Sequence, residues 1–141
     1  MNIEIVETPE ERKHAFHVRT VVFVEEQKVP EEEELDQFDE TAIHFVGYKD
    51  NQPIAASRLR FVGEYGKLER ICVLKEHRGK SFGKDMIQAM ENIIKKNGYT
   101  KAKLNAQTHA EDFYKKLGFK TVSGEFLDAG IPHVTMIKEQ L

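Results

Sequence analysis

The chain has 141 residues, 40% hydrophobic and 32% charged, with a formal net charge of −3. That length fits one compact domain, residues 1–141, whose core needs no staples, and the slight acidic excess argues against a general nucleic-acid binder, which would usually carry a basic excess. No apolar run approaches the roughly 20 residues of a membrane span; the single Cys72 excludes an intrachain disulfide, and the first residues lack a secretory leader's basic and apolar regions, so the expected compartment is the cytoplasm.

Residues 2–6 alternate and read as a first strand. Thr8 then offers an N-cap, with Pro9 at the first helical position and Glu10 and Glu11 in the first turn. Ala15, Phe16, Val18, Val22 and Phe23 keep helical spacing, which carries this helix to about Val24. Pro30 and the acidic run Glu31–Glu34 break the pattern into a polar loop or short helix. Thr41–Tyr48 and Ile54–Val62 form a hairpin about the turn at Lys49–Pro53, and Gly63–Gly66 leads into a strand over Lys67–Val73. A helix spans about Gly83–Lys96, its buried stripe made by Met86, Ile87, Met90, Ile93 and Ile94, and Asn97-Gly98 ends it. Thr100–Ala106 is a strand, and His109–Leu117 is a short helix closed by Gly118. Phe119–Val122 and Val134–Ile137 are closing strands. Hairpins mixed with crossover helices predict a mixed α/β sheet, with Lys67–Val73 and Thr100–Ala106 parallel across the connecting helix.

The segment most telling of function follows the Lys67–Val73 strand. A strand stops, a basic glycine-bearing loop follows, and a helix begins. Backbone N–H groups, a helix N-terminus and the cations Arg78, Lys80 and Lys84 converge there, as a diphosphate requires. The loop is not a Walker A motif: Gly79 and Gly83 enclose three residues rather than four, and Asp85 follows Lys84 where a hydroxyl for magnesium belongs. It lacks the third glycine of a Rossmann loop. A nucleotide-phosphate hydrolase is disfavoured on the same arithmetic, and no residues carry metal-ligand spacing.

Arg78-Gly-Lys-Ser-Phe-Gly83 resembles the acetyl-CoA pyrophosphate loop of the GNAT N-acetyltransferases, whose pattern is Arg/Gln-x-x-Gly-x-Gly/Ala. Ser81 stands at the middle glycine and lacks glycine's freedom at positive φ. Phe113-Tyr114 closed by Leu117-Gly118-Phe119 resembles the family's later motif. Val18–Gln27, Ala106–His109 and Gly130–His133 resemble the ElaA/YjcF-like subgroup. The resemblance covers nearly the whole chain. It implies the GNAT fold, a sheet of about six to seven strands flanked by about four helices, with acetyl-CoA as donor and an amine on a small molecule or peptide as acceptor.

Site roles follow as expectations from the resemblance. The backbone of Ile71, Cys72 and Val73 pairs with the pantetheine arm, and the Val73 N–H serves as oxyanion donor. Arg78, Gly79, Lys80, Ser81, Phe82, Gly83 and Lys84 hold the pyrophosphate, and Asn105 contacts the donor. Tyr114 protonates the leaving thiolate, its ordinary pKa near 10 suiting that task. For the base that deprotonates the acceptor, Glu69, Glu26, His109, His133 and an ordered water stay open; Glu69 shares a side with Ile71 and Val73 if the strand is regular. Glu31–Glu34 and Asp36 form either an acidic field for a cationic amine or a solvated face. Cys72 reads as a buried inert thiol, His44 as structural, and His14, His17 and His77 as surface residues. Sheet edges offer a route to a homodimer. An acyl-CoA binding module without chemistry is the alternative function.

Overall fold

The computed structural model describes residues 1–141. Its strands are β1 (Asn2–Ile5), β2 (Ile43–Lys49), β3 (Gln52–Val62), β4 (Tyr65–Val73), β5 (Lys101–Gln107), β6 (Lys120–Thr121), β7 (Phe126–Asp128) and β8 (Ile131–Lys138). The helices are α1 (Pro9–Arg19), α2 (Glu31–Glu34), α3 (Phe82–Lys96) and α4 (Glu111–Lys116). One mixed sheet runs in the order β1-β2-β3-β4-β5-β8-β6, and β7 also pairs with β8. Only β4 and β5 are parallel, as the crossover through α3 requires. β7 is the strand that sequence reasoning missed. It turns back through Ala129-Gly130, both at positive φ, the backbone a two-residue hairpin demands.

α1 starts on the expected capping box: Glu11 N–H donates to Thr8 Oγ1, and Thr8 N–H to Glu11 Oε1, each at 3.1 Å. It stops short of Val24. From Thr20 to Glu26 the chain widens into a π-helix that ends with Gln27 N–H on the Val22 carbonyl.

Each face of the sheet carries its own core. α3 lays Met86, Ile87, Met90 and Ile94 on Leu59, Leu68 and Leu104. Gly66 permits its close approach: a Cβ there would collide with the Ile94 side chain. On the other face Ala15, Val18 and Val22 pack against Val46, Ala56 and Cys72.

Buried charge completes that second face. Arg19 and Arg58 are 0% and 1% exposed. Arg19 donates to Glu34 Oε1 at 2.7 Å and Asp39 Oδ1 at 2.8 Å. Arg58 reaches Asp36 Oδ1 at 2.6 Å, Asp39 Oδ1 at 3.0 Å and Glu69 Oε1 at 3.0 Å. Arg60 and Lys67 also close on Glu69, at 2.8 and 3.2 Å. Burial alone would raise the Glu69 pKa; the Arg60 hydrogen bonds and the charges of Arg58 and Lys67 outweigh it and hold the carboxyl at about 2. Asp39 is likewise depressed, its burial outweighed by Arg19, the Asp36 amide and Arg58.

Both folded-state pKa values lie below their unfolded ones, so this stabilisation is complete above the unfolded carboxylate range and is lost as pH falls through the folded values. The melting temperature is therefore expected to fall as pH drops below about 4.5 and to keep falling to about 2. Glu69→Gln should melt lower at neutral pH and show a shallower slope across that window. An unchanged slope would show that Glu69 is not held by these cations.

Candidate active site

β4 and β5 pair from Tyr65 opposite Lys101 to Leu68 opposite Leu104, then separate. Beyond that point β5 stays bonded to β8 as far as Gln107, and β4 stays bonded to β3. The edges of Glu69–Val73 and Asn105–Gln107 thus face each other across a gap. A cavity of about 1150 Å3 fills it.

The divergence coincides with a β-bulge. Arg58 pairs with Glu69 and Ala56 with Cys72, so Ser57 alone opposes Arg70 and Ile71. Arg70 absorbs the extra residue at φ +56°. The bulge inverts side-chain alternation along the strand. Leu68 packs on the α3 face before it, and Ile71 and Val73 pack on that same face after it. Glu69 turns instead to the opposite face, among Arg58, Arg60 and Lys67. The expectation that Glu69 shares a side with Ile71 and Val73 assumed a regular strand, and the bulge overturns it.

Leu74 N–H bonds to the Ile54 carbonyl of β3 at 2.8 Å. Backbone direction alternates along a strand, so the amide and carbonyl of Val73 point to the open gap. There Arg78 Nε donates to the Val73 carbonyl at 2.9 Å. The strand then runs through a short turn into the basic loop. Gly79 has φ +79°, and Ser81 adopts the left-handed region at φ +65°. The serine thus accepts the conformation that glycine would take freely. The first helical bond is Asp85 N–H to the Ser81 carbonyl, and no amide from Gly79 to Lys84 has a partner within the chain. Gly79, Ser81, Phe82, Gly83 and Lys84 line the cavity, whereas Lys80 lies off its wall.

Arg78 is not free. Its Nη1 and Nη2 grip the two oxygens of Glu26 at 2.6 and 2.7 Å. Hydrogen bonding to Arg78 lowers the Glu26 pKa, and the same contact raises that of Arg78. Beside it, Gln107 Nε2 donates to Gln27 Oε1 at 2.9 Å, and His109 Nε2 donates to Gln107 Oε1 at 2.7 Å. The end of the π-helix is therefore tied to both arms of the gap.

Tyr114 lines the cavity from the β5 side, its ring edge-on to Phe113 and Phe119. Its hydroxyl has no hydrogen-bond partner in the chain, and burial pushes the phenol up to about 12. Asn105 is on the wall but engaged, accepting from Thr135 Oγ1 at 2.9 Å. His133 also lines the cavity and stacks on Phe126. Its Nδ1 lies 2.6 Å from the Ile131 carbonyl. A carbonyl only accepts, so Nδ1 is the donor, and Nε2 has no partner within the chain. His77, read as a surface residue, lies on the cavity wall with a buried, unpartnered Nδ1. Cys72 points into the α1-side core, donates to the Ala56 carbonyl, and is pushed by burial to about 12, which leaves it inert as a nucleophile.

The acidic run divides. Glu34 is buried beneath Arg19, and Asp36 is shared by Arg58 and Arg70. Glu32 and Glu33 reach the cavity without an ion pair. Arg70, unremarkable in the sequence, also lines the cavity while donating to the Glu33 and Glu34 carbonyls.

Residues 8–140 match the family model described as an acetyltransferase (GNAT) domain. The uncharacterized N-acetyltransferase YjcF of Bacillus subtilis is 47% identical over 140 residues, covering 99% of this chain and 100% of that protein. Among solved structures, an acyl-CoA N-acyltransferase from Pseudomonas aeruginosa superposes with a TM-score of 0.86 at 27% identity, covering 98% of this chain and 99% of that one. Escherichia coli ElaA gives a TM-score of 0.86 at 24% identity, with 98% and 99% covered, a likeness of fold.

Proposed function

Because this chain belongs to the GNAT acetyltransferase family, we infer that it transfers an acetyl group from acetyl-CoA to a primary amine by direct attack in a ternary complex. One observation carries this reading. An unpaired strand edge at Ile71–Val73 runs directly into the unpartnered amides of Gly79–Lys84, with a free phenol on the facing arm. An extended amide-bearing arm ending in a diphosphate matches that edge and that loop in order.

Each group then has a task. The amides of Gly79–Lys84 receive the diphosphate, and Lys84 adds charge beside them. The gap-facing Val73 backbone aligns the thioester, and its N–H stabilises the oxygen on which charge develops. The amine attacks the carbonyl carbon, forming the C–N bond, and the C–S bond breaks as the tetrahedral intermediate collapses. Tyr114 gives its proton to the departing sulfur. At about 12 the phenol is fully protonated at any working pH, although a weaker acid than an unperturbed tyrosine. His133 Nε2 is the better base for the acceptor ammonium. Glu69 is saturated by three cations and, at about 2, has little affinity for a proton. Asn105, oriented by the Thr135 hydroxyl on one lone pair of its Oδ1, keeps its amide N–H groups for the donor.

The test pairs calorimetry with transfer. Acetyl-CoA should bind and should acetylate at least one member of a panel of polyamines, aminosugars and peptides. Absence of binding at millimolar ligand removes the reading. Binding without transfer to any amine leaves an acyl-CoA binding module in its place.

A further inference from the structure

Arg78 occupies two parts of the donor site at once. Its Nε rests on the Val73 carbonyl, the backbone group at the end of the open strand edge. Its two terminal nitrogens are held by Glu26 in a bidentate pair. Glu26 reaches across from the far end of a π-helix, 52 positions away in sequence. The neighbouring Gln27 anchors that end to the opposite arm through Gln107, itself held by His109. The pair is moderately exposed, at 40% and 37% of the two side chains, so water and a ligand both reach it.

A carboxylate offers a guanidinium the same two-oxygen face as a phosphate. We propose that Glu26 is a positioning residue for the donor: it stands in for the donor's diphosphate on Arg78, and donor binding exchanges one anion for the other. The exchange lifts Nε from the Val73 carbonyl and opens the strand edge to the pantetheine arm. Arg78 therefore makes little net gain on binding, because it gives up one well-aligned anion to take another. Gln27 keeps Glu26 at the mouth while Arg78 leaves it, so the exchange reverses when the product departs. This inference rests on the donor reading above and adds to it a competition between Glu26 and the diphosphate for Arg78.

The experiment is calorimetric titration of CoA into the wild-type chain, Glu26→Gln and Arg78→Gln. Glu26→Gln keeps the side chain's size and removes the competing charge. It should bind CoA about fivefold more tightly, the worth of one well-aligned exposed ion pair. Arg78→Gln alone should change CoA affinity little, because its contact with the diphosphate and its pair with Glu26 are lost together, and combined with Glu26→Gln it should abolish the fivefold gain. Glu26→Asp keeps the charge but shortens the reach, so it should also tighten binding, which separates competition from a general effect of net charge. Pantetheine, which lacks the diphosphate, should gain less than CoA from Glu26→Gln. Wild type that fails to bind CoA overturns the donor reading and this inference with it. Wild type that binds CoA, with Glu26→Gln equal or weaker and its melting temperature unchanged, overturns the exchange alone.

Discussion

Tyr114→Phe is expected to lower kcat about a hundredfold, the lower end of what a positioned proton donor contributes, with the dissociation constant for CoA unchanged. The ring is held by its edges against Phe113 and Phe119, contacts that phenylalanine keeps. The hydroxyl makes no hydrogen bond in the chain, so its removal orphans no partner and leaves the fold intact. On the proposed mechanism, what is lost is the proton for the leaving sulfur. Single-turnover kinetics with a saturating amine isolates that step. An unchanged rate would take Tyr114 out of the chemistry, and a rise in the CoA dissociation constant would recast it as part of the donor wall.

Arg19→Met is expected to destabilise the fold by about 3–5 kcal/mol, the usual consequence of removing one partner from a buried ion pair. Methionine fills much of the volume, so the loss is chiefly electrostatic. Glu34 loses its partner at 2.7 Å, and Asp39 loses contacts at 2.8 and 3.2 Å, with both carboxylates buried. Arg19 is one of the groups that hold the Asp39 pKa down, so without it Asp39 takes up a proton more readily, and the deficit should shrink at pH 4 relative to pH 7. Chemical denaturation at the two pH values measures it. A loss at neutral pH no larger than that of a surface substitution would mean that Glu34 and Asp39 find other partners.

The features legible in the sequence are those written in local chemistry. Thr8 and Glu11 spell a capping box, and the spacing of Met86, Ile87, Met90 and Ile94 defines the buried stripe of α3. The order of strand, basic loop and helix is likewise written in residues 67–96 and matches the order β4, loop, α3. Other features depend on partners remote in sequence. Nothing around Arg70 announces a bulge: it bears no glycine, and the extra residue exists only relative to the register with β3. The error over Glu69 followed from that. The pairing of Glu26 with Arg78 crosses 52 positions, and that of Gln27 with Gln107 crosses 80. The burial of Arg19 and Arg58 was hidden because arginines on a helix and a strand ordinarily face water. β7 was missed because three residues carry almost no periodicity, although Asp128-Ala-Gly130 is a hairpin turn in composition.

The methyl group missing at Gly66 sets how deeply α3 rides on the sheet. Ile94, the residue that would collide with it, lies near one end of that helix, and the loop amides lie at the other. A rigid rod seated at its tail points its head. The aim of the N-terminal amides toward the gap is thus governed by a contact more than two helical turns away from them, between residues that lie off the cavity wall.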